Sequence, residues 1–264
     1  MTVALDSREI ARGFSAAAES YDRWAGPQRR CGAHLAALLP QDRRPERVLD
    51  VGCGTGTLAL LLWRRFPGAG VLGIDLAGGM IDFCRRRWAG RPRLTFLQAD
   101  AERFDTPQPF DLIGSNFCFQ WFPRPGETIA RLAGMLASGG LLAAAVPVEG
   151  SLPEMDWAWR RHLGGAMPGP GFAPARAYLD GLGGCGLRTV RQEVLSARTF
   201  FAGGLEVLRY FRATGTSQAR PGGQQRLSAG QTRGIVETYQ QRFARSDGQV
   251  PLTWATLYFV AEAG

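Results

Sequence analysis

Val48-Leu49-Asp50-Val51-Gly52-Cys53-Gly54-Thr55-Gly56 is the stretch on which the reading of this chain turns. Val48 to Val51 is a short apolar run with one acid, the size of a buried parallel strand. Three glycines at alternate positions follow, and then an apolar segment at helical spacing, Leu58 to Phe66. The order strand, glycine-rich turn, helix places bare backbone at the carboxyl end of a first strand, where open α/β sheets bind ligands. Glycine lacks Cβ and enters positive φ, so a ligand can lie directly against such a loop. A dinucleotide pyrophosphate loop reads G-x-G-x-x-G. Here the third glycine comes one residue early and Thr57 stands in its place, which weakens a dinucleotide reading.

Outward from this stretch the pattern alternates. Val71 to Asp75 reads as the second strand. A carboxylate at its end, Asp75, can accept both hydroxyls of a ribose or cap the helix that starts near Gly79. Leu94 to Gln98 is a third strand, closed by Ala99-Asp100-Ala101-Glu102. Phe110 to Asn116 is a fourth, and the aromatic run Phe117-Cys118-Phe119-Gln120-Trp121 after it reads mostly as core. Gly126 to Leu136 reads as a helix ended by Ser138-Gly139-Gly140, and Leu141 to Val146 as a fifth strand. Strands alternating with helices predict an α/β fold with a doubly wound, mostly parallel sheet.

On the amino side, residues 8–39 read as helices able to cap the cleft, with Ile10, Phe14, Ala17, Ala18 and Tyr21 near helical spacing. On the carboxyl side, Pro153 to Leu163 and Pro174 to Leu182 read as helices. Leu187 to Phe200 reads as a strand or strand pair, Leu205 to Thr214 and Ser228 to Phe243 as helices, and Ser217 to Gln225 as a mobile loop. Leu252 to Val260 alternates like an edge-region strand. The expectation is one domain over 1–264: cap helices in 1–44, a cofactor-binding core in 45–148, and substrate-side helices and last strands in 149–264. The two late helices would be an insertion lying over the cleft.

Composition narrows the function classes. The chain has 264 residues, 45% of them hydrophobic, enough for one large α/β domain. Met1 to Arg12 carries Asp6 and Glu9 and does not read as a signal peptide, and the longest apolar run, Leu141 to Val148, is too short to span a membrane. Five cysteines without C-x-x-C spacing and two histidines argue against a disulfide framework or a zinc site. A cytoplasmic protein with reduced thiols is expected. The net charge is +8, and every one of the 31 basic residues is arginine. That charge is either solvated surface or a match for an acidic partner. The arginines are dispersed and no RNA-binding pattern accompanies them, so nucleic acid is not expected.

The string from Val48 to Gly56 resembles the first motif of the Rossmann-like, S-adenosylmethionine-dependent methyltransferases, whose loop holds the methionine end of the cofactor. Further stretches resemble the malonyl-acyl-carrier-protein O-methyltransferases of biotin synthesis. They are the run from Ile10 to Asp22 continuing to Gln28-Arg29-Arg30, Ser115-Asn116 with Gln120-Trp121, and Glu149-Gly150-Ser151-Leu152-Pro153-Glu154. Leu208-Arg209 with Gly215-Thr216, and Pro251-Leu252-Thr253-Trp254, extend the likeness nearly end to end. The chain departs at Arg212, often lysine in that family, and at the loop Ser217 to Gln225.

The resemblance implies a seven-stranded sheet, S-adenosyl-L-methionine as cofactor with S-adenosyl-L-homocysteine as product, and methyl transfer to the free carboxylate of a malonyl thioester on an acyl carrier protein. It places Asp50, Gly52, Gly54, Gly56, Asp75, Leu76, Met80, Asp100, Ala101, Ser115 and Asn116 at the cofactor. It also places Gln120 and Trp121 at the substrate, and Tyr21 in the matching N-terminal block, where it would orient the acceptor carboxylate or only pack with Phe14. Arg209 and Arg212, three apart on one face of the helix expected over Leu205 to Thr214, would meet the substrate through the malonyl carboxylate, the phosphopantetheine phosphate or an acid of the carrier protein. No metal and no general base are expected, because a carboxylate is already ionised at neutral pH. A monomer is expected. The competing readings are a methyltransferase for another small acid, a natural product or RNA, a nicotinamide oxidoreductase disfavoured by Thr57, and a non-catalytic binding module.

Overall fold

The computed structural model describes residues 6–165, 167, 169–216 and 227–264. One sheet runs through it, built from β1 (Arg47–Val51), β2 (Gly70–Asp75), β3 (Leu94–Gln98), β4 (Phe110–Asn116), β5 (Leu136–Pro147), β6 (Arg188–Phe201) and β7 (Val250–Glu262). The strand order is β3-β2-β1-β4-β5-β7-β6. The first five strands in the chain pair in parallel, while β7 runs antiparallel to both β5 and β6. The order reverses between β1 and β4, and such a switch point opens a crevice at the carboxyl ends of the strands.

Helices α1 (Ser7–Trp24) and α2 (Gly26–Leu38) precede the sheet. Next come α3 (Thr57–Arg65), α4 (Gly78–Arg87) and α5 (Pro125–Ala133) between parallel strands, and α6 (Pro153–Leu163) and α7 (Ala175–Gly184) between β5 and β6. α8 (Gly204–Ala213) and α9 (Ala229–Phe243) fall between β6 and β7. Alternating strand residues feed two cores. Val48, Val71 and Leu112 join Leu35, Leu58 and Leu62 on one face, while Leu49, Val51 and Ile113 join Ile129, Leu132 and Tyr178 on the other. Val48, Leu49 and Val51 are each 0% exposed, so each side chain contributes about 1.5–3 kcal/mol of burial. This anchors the strand that carries the glycine loop.

Several expectations are corrected. The helix expected over Gly126 to Leu136 ends at Ala133. Phe110 N–H donates to Met135 O at 2.8 Å and Leu136 registers with Phe110, so pairing with β4 captures the chain before the glycines. The stretch from Leu187 is one long strand, because β7 offers an unbroken partner from Val250 to Glu262. β7 itself is not an edge-region strand: β5 and β6 flank it, it is buried from Leu252 to Ala261, and β6 forms the edge. The late helices do not roof the cleft. α8 packs on α1, where Ser20 Oγ donates to Ala213 O at 3.1 Å, and braces it from behind. The loop Ser217 to Gln225 lies outside the described residues.

Two of the stretches singled out in the sequence hold each other. In the run from Glu149 to Glu154, Ser151 Oγ donates to Ala255 O at 2.9 Å, and the buried Glu154 carboxylate accepts from Thr253 N–H at 3.1 Å and from the Thr253 hydroxyl. The hairpin-like entry into α6 is thereby pinned to the start of β7.

Candidate active site

The glycine loop adopts the backbone its sequence predicts: Gly52, Gly54 and Gly56 have φ of 66°, 53° and 78°. Each glycine is needed for a different reason. A Cβ on Gly52 would lie 2.3 Å from Cys118 Sγ, and one on Gly56 would lie 2.7 Å from Trp88 Nε1 and 3.0 Å from Phe96. A Cβ on Gly54 would meet nothing within 4 Å among the described residues, because it would project into a cavity. That cavity opens to solvent. It lies at the carboxyl ends of β1, β2 and β4, beneath α1.

Asp75 ends β2 and organises the loop. Its carboxylate accepts from Gly54 N–H at 2.8 Å and from Ala77 N–H at 2.8 Å. The N-cap of α4 is Ala77, not Asp75, so Asp75 steadies the turn before the helix. Burial pushes its carboxyl up, and the backbone N–H groups of Ala77, Gly54 and Leu76 pull it back. Two accepted bonds leave lone pairs for ligand hydroxyls. Asp50 sits beneath the loop, 1% exposed, and accepts from Ala59 N–H at 2.8 Å. Its other oxygen has no hydrogen-bond partner among the described residues, and burial pushes its carboxyl up to about 8.

α1 closes the cavity. Thr55 Oγ1 donates to Asp22 Oδ1 at 2.6 Å and Gly79 N–H donates to Ser15 Oγ at 3.2 Å, which ties the helix to the loop and to α4. Its inner face presents Ser7, Ile10, Ala11, Phe14 and Tyr21 to the cavity. The Phe14 ring meets Trp121 edge-on at 5.6 Å and Tyr21 at 6.4 Å, forming an aromatic rim. Burial, then the nearby carboxylates of Asp75 and Asp22, push the Tyr21 phenol up, so it stays a proton donor.

The expected site residues divide cleanly. Tyr21, Gly52, Gly54, Asp75, Leu76, Met80, Asp100, Ala101, Asn116 and Trp121 line the cavity. Asp50, Gly56, Ser115 and Gln120 do not line it. Ser115 is buried and donates to Val51 O at 2.9 Å, and Gln120 Nε2 donates to Phe117 O at 2.8 Å. Arg209 and Arg212 are exposed on α8 and are not brought to the cavity. Sequence reasoning missed Ser7, Ala11, Glu102, Phe117, Cys118 and Phe122 in the walls. Spacing in α1 could have exposed Ala11 and Ser7, which share a face with Phe14 and Tyr21. Nothing local marks Phe117, whose φ of 56° is unusual for a non-glycine residue and turns the chain after β4.

S-adenosylmethionine fits what this cavity presents. Asp75, Asp100 and Glu102 line it, and no arginine, lysine or histidine does among the described residues. An acidic, half-apolar cavity suits a sulfonium cation and opposes a pyrophosphate. The open space over Gly54 is a cradle that a side chain would fill. Asp75, Gly52, Gly54, Leu76, Met80, Asp100 and Ala101 line the cavity and would hold the cofactor there.

Fold and cavity together define a Rossmann-like methyltransferase. Residues 48–140 match a family model described as a methyltransferase domain. The malonyl-[acyl-carrier protein] O-methyltransferase of Acetivibrio thermocellus is 30% identical over 271 residues, covering 97% of this chain and 94% of that protein. The protein of the same name from Geobacter sulfurreducens is 30% identical, covering 98% and 99%. Among solved structures, a geranyl diphosphate C-methyltransferase from Streptomyces coelicolor, in complex with S-adenosyl-L-homocysteine, superposes with a TM-score of 0.54 at 16% identity, covering 88% of this chain and 75% of that one. This last likeness is one of fold. The chain belongs to the malonyl-[acyl-carrier protein] O-methyltransferase family.

Proposed function

We propose that the protein transfers a methyl group from S-adenosylmethionine to the free carboxylate of a malonyl thioester on an acyl carrier protein, giving the methyl ester that starts biotin synthesis. The observation carrying this reading is the 30% identity over 97% of the chain, which takes in the cap helices and the α8–α9 insertion as well as the cofactor core. When bound, S-adenosylmethionine supplies an electrophilic methyl that forms a bond to a carboxylate oxygen as its bond to sulfur breaks, the electron pair remaining on sulfur.

The protein's share is placement and exclusion of water. Asp75 and the loop from Gly52 to Gly56 fix one end of the cofactor. The Phe14, Tyr21 and Trp121 rings shield the reacting atoms from solvent. Tyr21, whose hydroxyl has no hydrogen-bond partner among the described residues, orients the acceptor. No proton has to move, so no side chain acts as base. The acidic carrier protein gives the net charge of +8 a use, and of the roles open to Arg209 and Arg212 their place on the exposed face of α8 favours carrier docking. No described helix is long and apolar enough to cross a membrane. The reading includes a cytoplasmic enzyme that works as a monomer.

The test is incubation with labelled S-adenosylmethionine and malonyl-carrier protein, with mass measurement of the product. Label on the malonyl group as an ester is expected. Transfer to a different small acid in preference, or none to malonyl, would refute the reading.

A further inference from the structure

We propose that the acceptor carboxylate, oriented from the cavity side by Tyr21, is held on its far side by two neutral donors, the Tyr210 hydroxyl and the Trp254 indole N–H, which stand behind the wall formed by Asn116 and Phe117. The inference rests on the malonyl reading above and names the residues that receive its carboxylate.

Buried polar atoms without partners concentrate in one place. Among the described residues six such side-chain atoms occur, and four belong to Gln28, Asn116, Gln120 and Trp254. These four are neighbours. Asn116 Nδ2 donates to Gln28 O at 3.0 Å, Gln120 Nε2 donates to Phe117 O at 2.8 Å, and the Phe117 ring packs edge-on against Trp254 at 5.2 Å. Burying unpaired polar groups is costly unless a ligand or water satisfies them, so such a cluster marks a place built to receive one.

Within the cluster, the donors are Trp254 and Tyr210. Trp254 is 7% exposed, its indole nitrogen can only donate, and it faces the neighbouring Tyr210 hydroxyl without completing a hydrogen bond to it. Tyr210 is 0% exposed and its hydroxyl accepts from Gln28 Nε2 at 2.8 Å. Its own proton has no acceptor among the described residues. Burial pushes the Tyr210 phenol up, so that proton stays in place for donation. The unpaired amide oxygens of Gln28, Asn116 and Gln120 suit N–H groups of the cofactor and the thioester arm.

Topology sets these groups where the acceptor must come. Asn116 and Phe117 leave the carboxyl end of β4 and line the cofactor cavity. Trp254 lies at the start of β7, beyond Thr256, which registers with Pro147 at the carboxyl end of β5. Tyr210 points inward from α8, while Arg209 and Arg212 on the same helix are exposed. The helix therefore turns a neutral donor towards the site and its cations away.

This choice of donors has a chemical consequence. A guanidinium paired with the carboxylate would stabilise the ground state of the very oxygen that must attack. Neutral hydroxyl and indole donors position that oxygen while leaving more of its lone-pair reactivity. They also hold the anion better than the ester, because hydrogen bonds to charged groups are the stronger ones, and the product is released.

The test uses Tyr210→Phe and Trp254→Phe in the full chain loaded with S-adenosylhomocysteine. Calorimetry measures binding of malonyl-pantetheine and of its methyl ester. Each variant is expected to weaken malonyl-pantetheine about tenfold to a hundredfold while binding of the ester and of S-adenosylhomocysteine is unchanged. The Michaelis constant for malonyl-carrier protein should rise by a similar factor, with a smaller change in kcat. Unchanged malonyl affinity in the variants, or equal weakening for acid and ester, would overturn the subsite. A wild-type protein that binds neither malonyl compound would count against the malonyl reading instead. If Trp254→Phe does not fold, Tyr210→Phe decides the question, since it keeps the ring and removes one oxygen.

Discussion

The three loop glycines should separate under substitution, because the same added methyl meets three different surroundings. At Gly54 the φ of 53° costs an alanine about 1 kcal/mol of backbone strain, and its Cβ enters open space. Gly54→Ala should therefore fold with only that modest loss. At Gly56 the same strain is joined by a Cβ placed 2.7 Å from Trp88 Nε1 and 3.0 Å from Phe96. Overpacking of this kind costs a further ~1–3 kcal/mol. Trp88 Nε1 also donates to Thr55 O at 2.8 Å, so the ring cannot retreat without breaking that bond. The binding order should be the reverse. The methyl on Gly54 occupies cofactor space, and overpacking of about 1–3 kcal/mol weakens S-adenosylhomocysteine by about 5- to 150-fold. Gly54→Val should abolish binding. Calorimetric titration with S-adenosylhomocysteine and urea unfolding of Gly54→Ala and Gly56→Ala measure the two effects separately. Wild-type affinity in Gly54→Ala would show that the cavity over Gly54 is not the cofactor's seat, and a Gly56→Ala protein as stable as Gly54→Ala would refute the packing argument at Trp88 and Phe96.

Further expectations follow from the same geometry. Asp75→Ala frees the N–H groups of Gly54 and Ala77 as well as the ligand's hydroxyls, and should cost about 1–3 kcal/mol of S-adenosylhomocysteine binding by calorimetry. Tyr21→Phe keeps the ring against Phe14 and should lower turnover while cofactor affinity holds; full turnover would leave Tyr21 only a packing role. Arg212→Ala should raise the Michaelis constant for malonyl-carrier protein more than for malonyl-coenzyme A, with the difference shrinking at high salt; equal, salt-insensitive effects would refute carrier docking. Asp50, pushed up to about 8, holds a proton in the folded state that the unfolded chain releases near pH 4, so its contribution to stability is full below that pH and is lost as pH rises to about 8. Asp50→Asn should flatten this part of the urea-unfolding profile between pH 5 and pH 8.5, and parallel profiles for variant and wild type would refute it.

Much of the cofactor half was legible because its constraints are local. Alternating glycines, a short apolar strand and an acid ending the next strand each reflect a backbone requirement that sequence spacing records directly. Asp75 was legible as an acid at the end of the second strand, while its bond from the Gly54 N–H was not. Asp50 and Ser115 were read as cofactor contacts from their places in motifs, but both are turned to the scaffold. Asp50 holds the first turn of α3 through Ala59 N–H, and Ser115 ties β4 to β1 through Val51 O. A residue at the carboxyl end of a strand faces either the crevice or a neighbouring element, and a one-residue difference in register decides which.

The acceptor half was obscure for a different physical reason: its groups come from elements far apart in the chain. Gln28 reaches Tyr210 across 182 positions, and Asn116 reaches Gln28 across 88. Neither pairing leaves a spacing signal. Charge left the choice open as well. Arg209 and Arg212 could meet a carboxylate, a phosphate or the carrier, and α8 buries Val207 and Tyr210, which share one face at i, i+3, and that leaves the arginines on the exposed one. The periodicity that made α8 recognisable as a helix also fixes which of its residues face the protein. Read that way, the helix offers Tyr210 to the interior and its cations to solvent, and the inward residue of an insertion helix is the better first guess for an acceptor contact than its nearest charge.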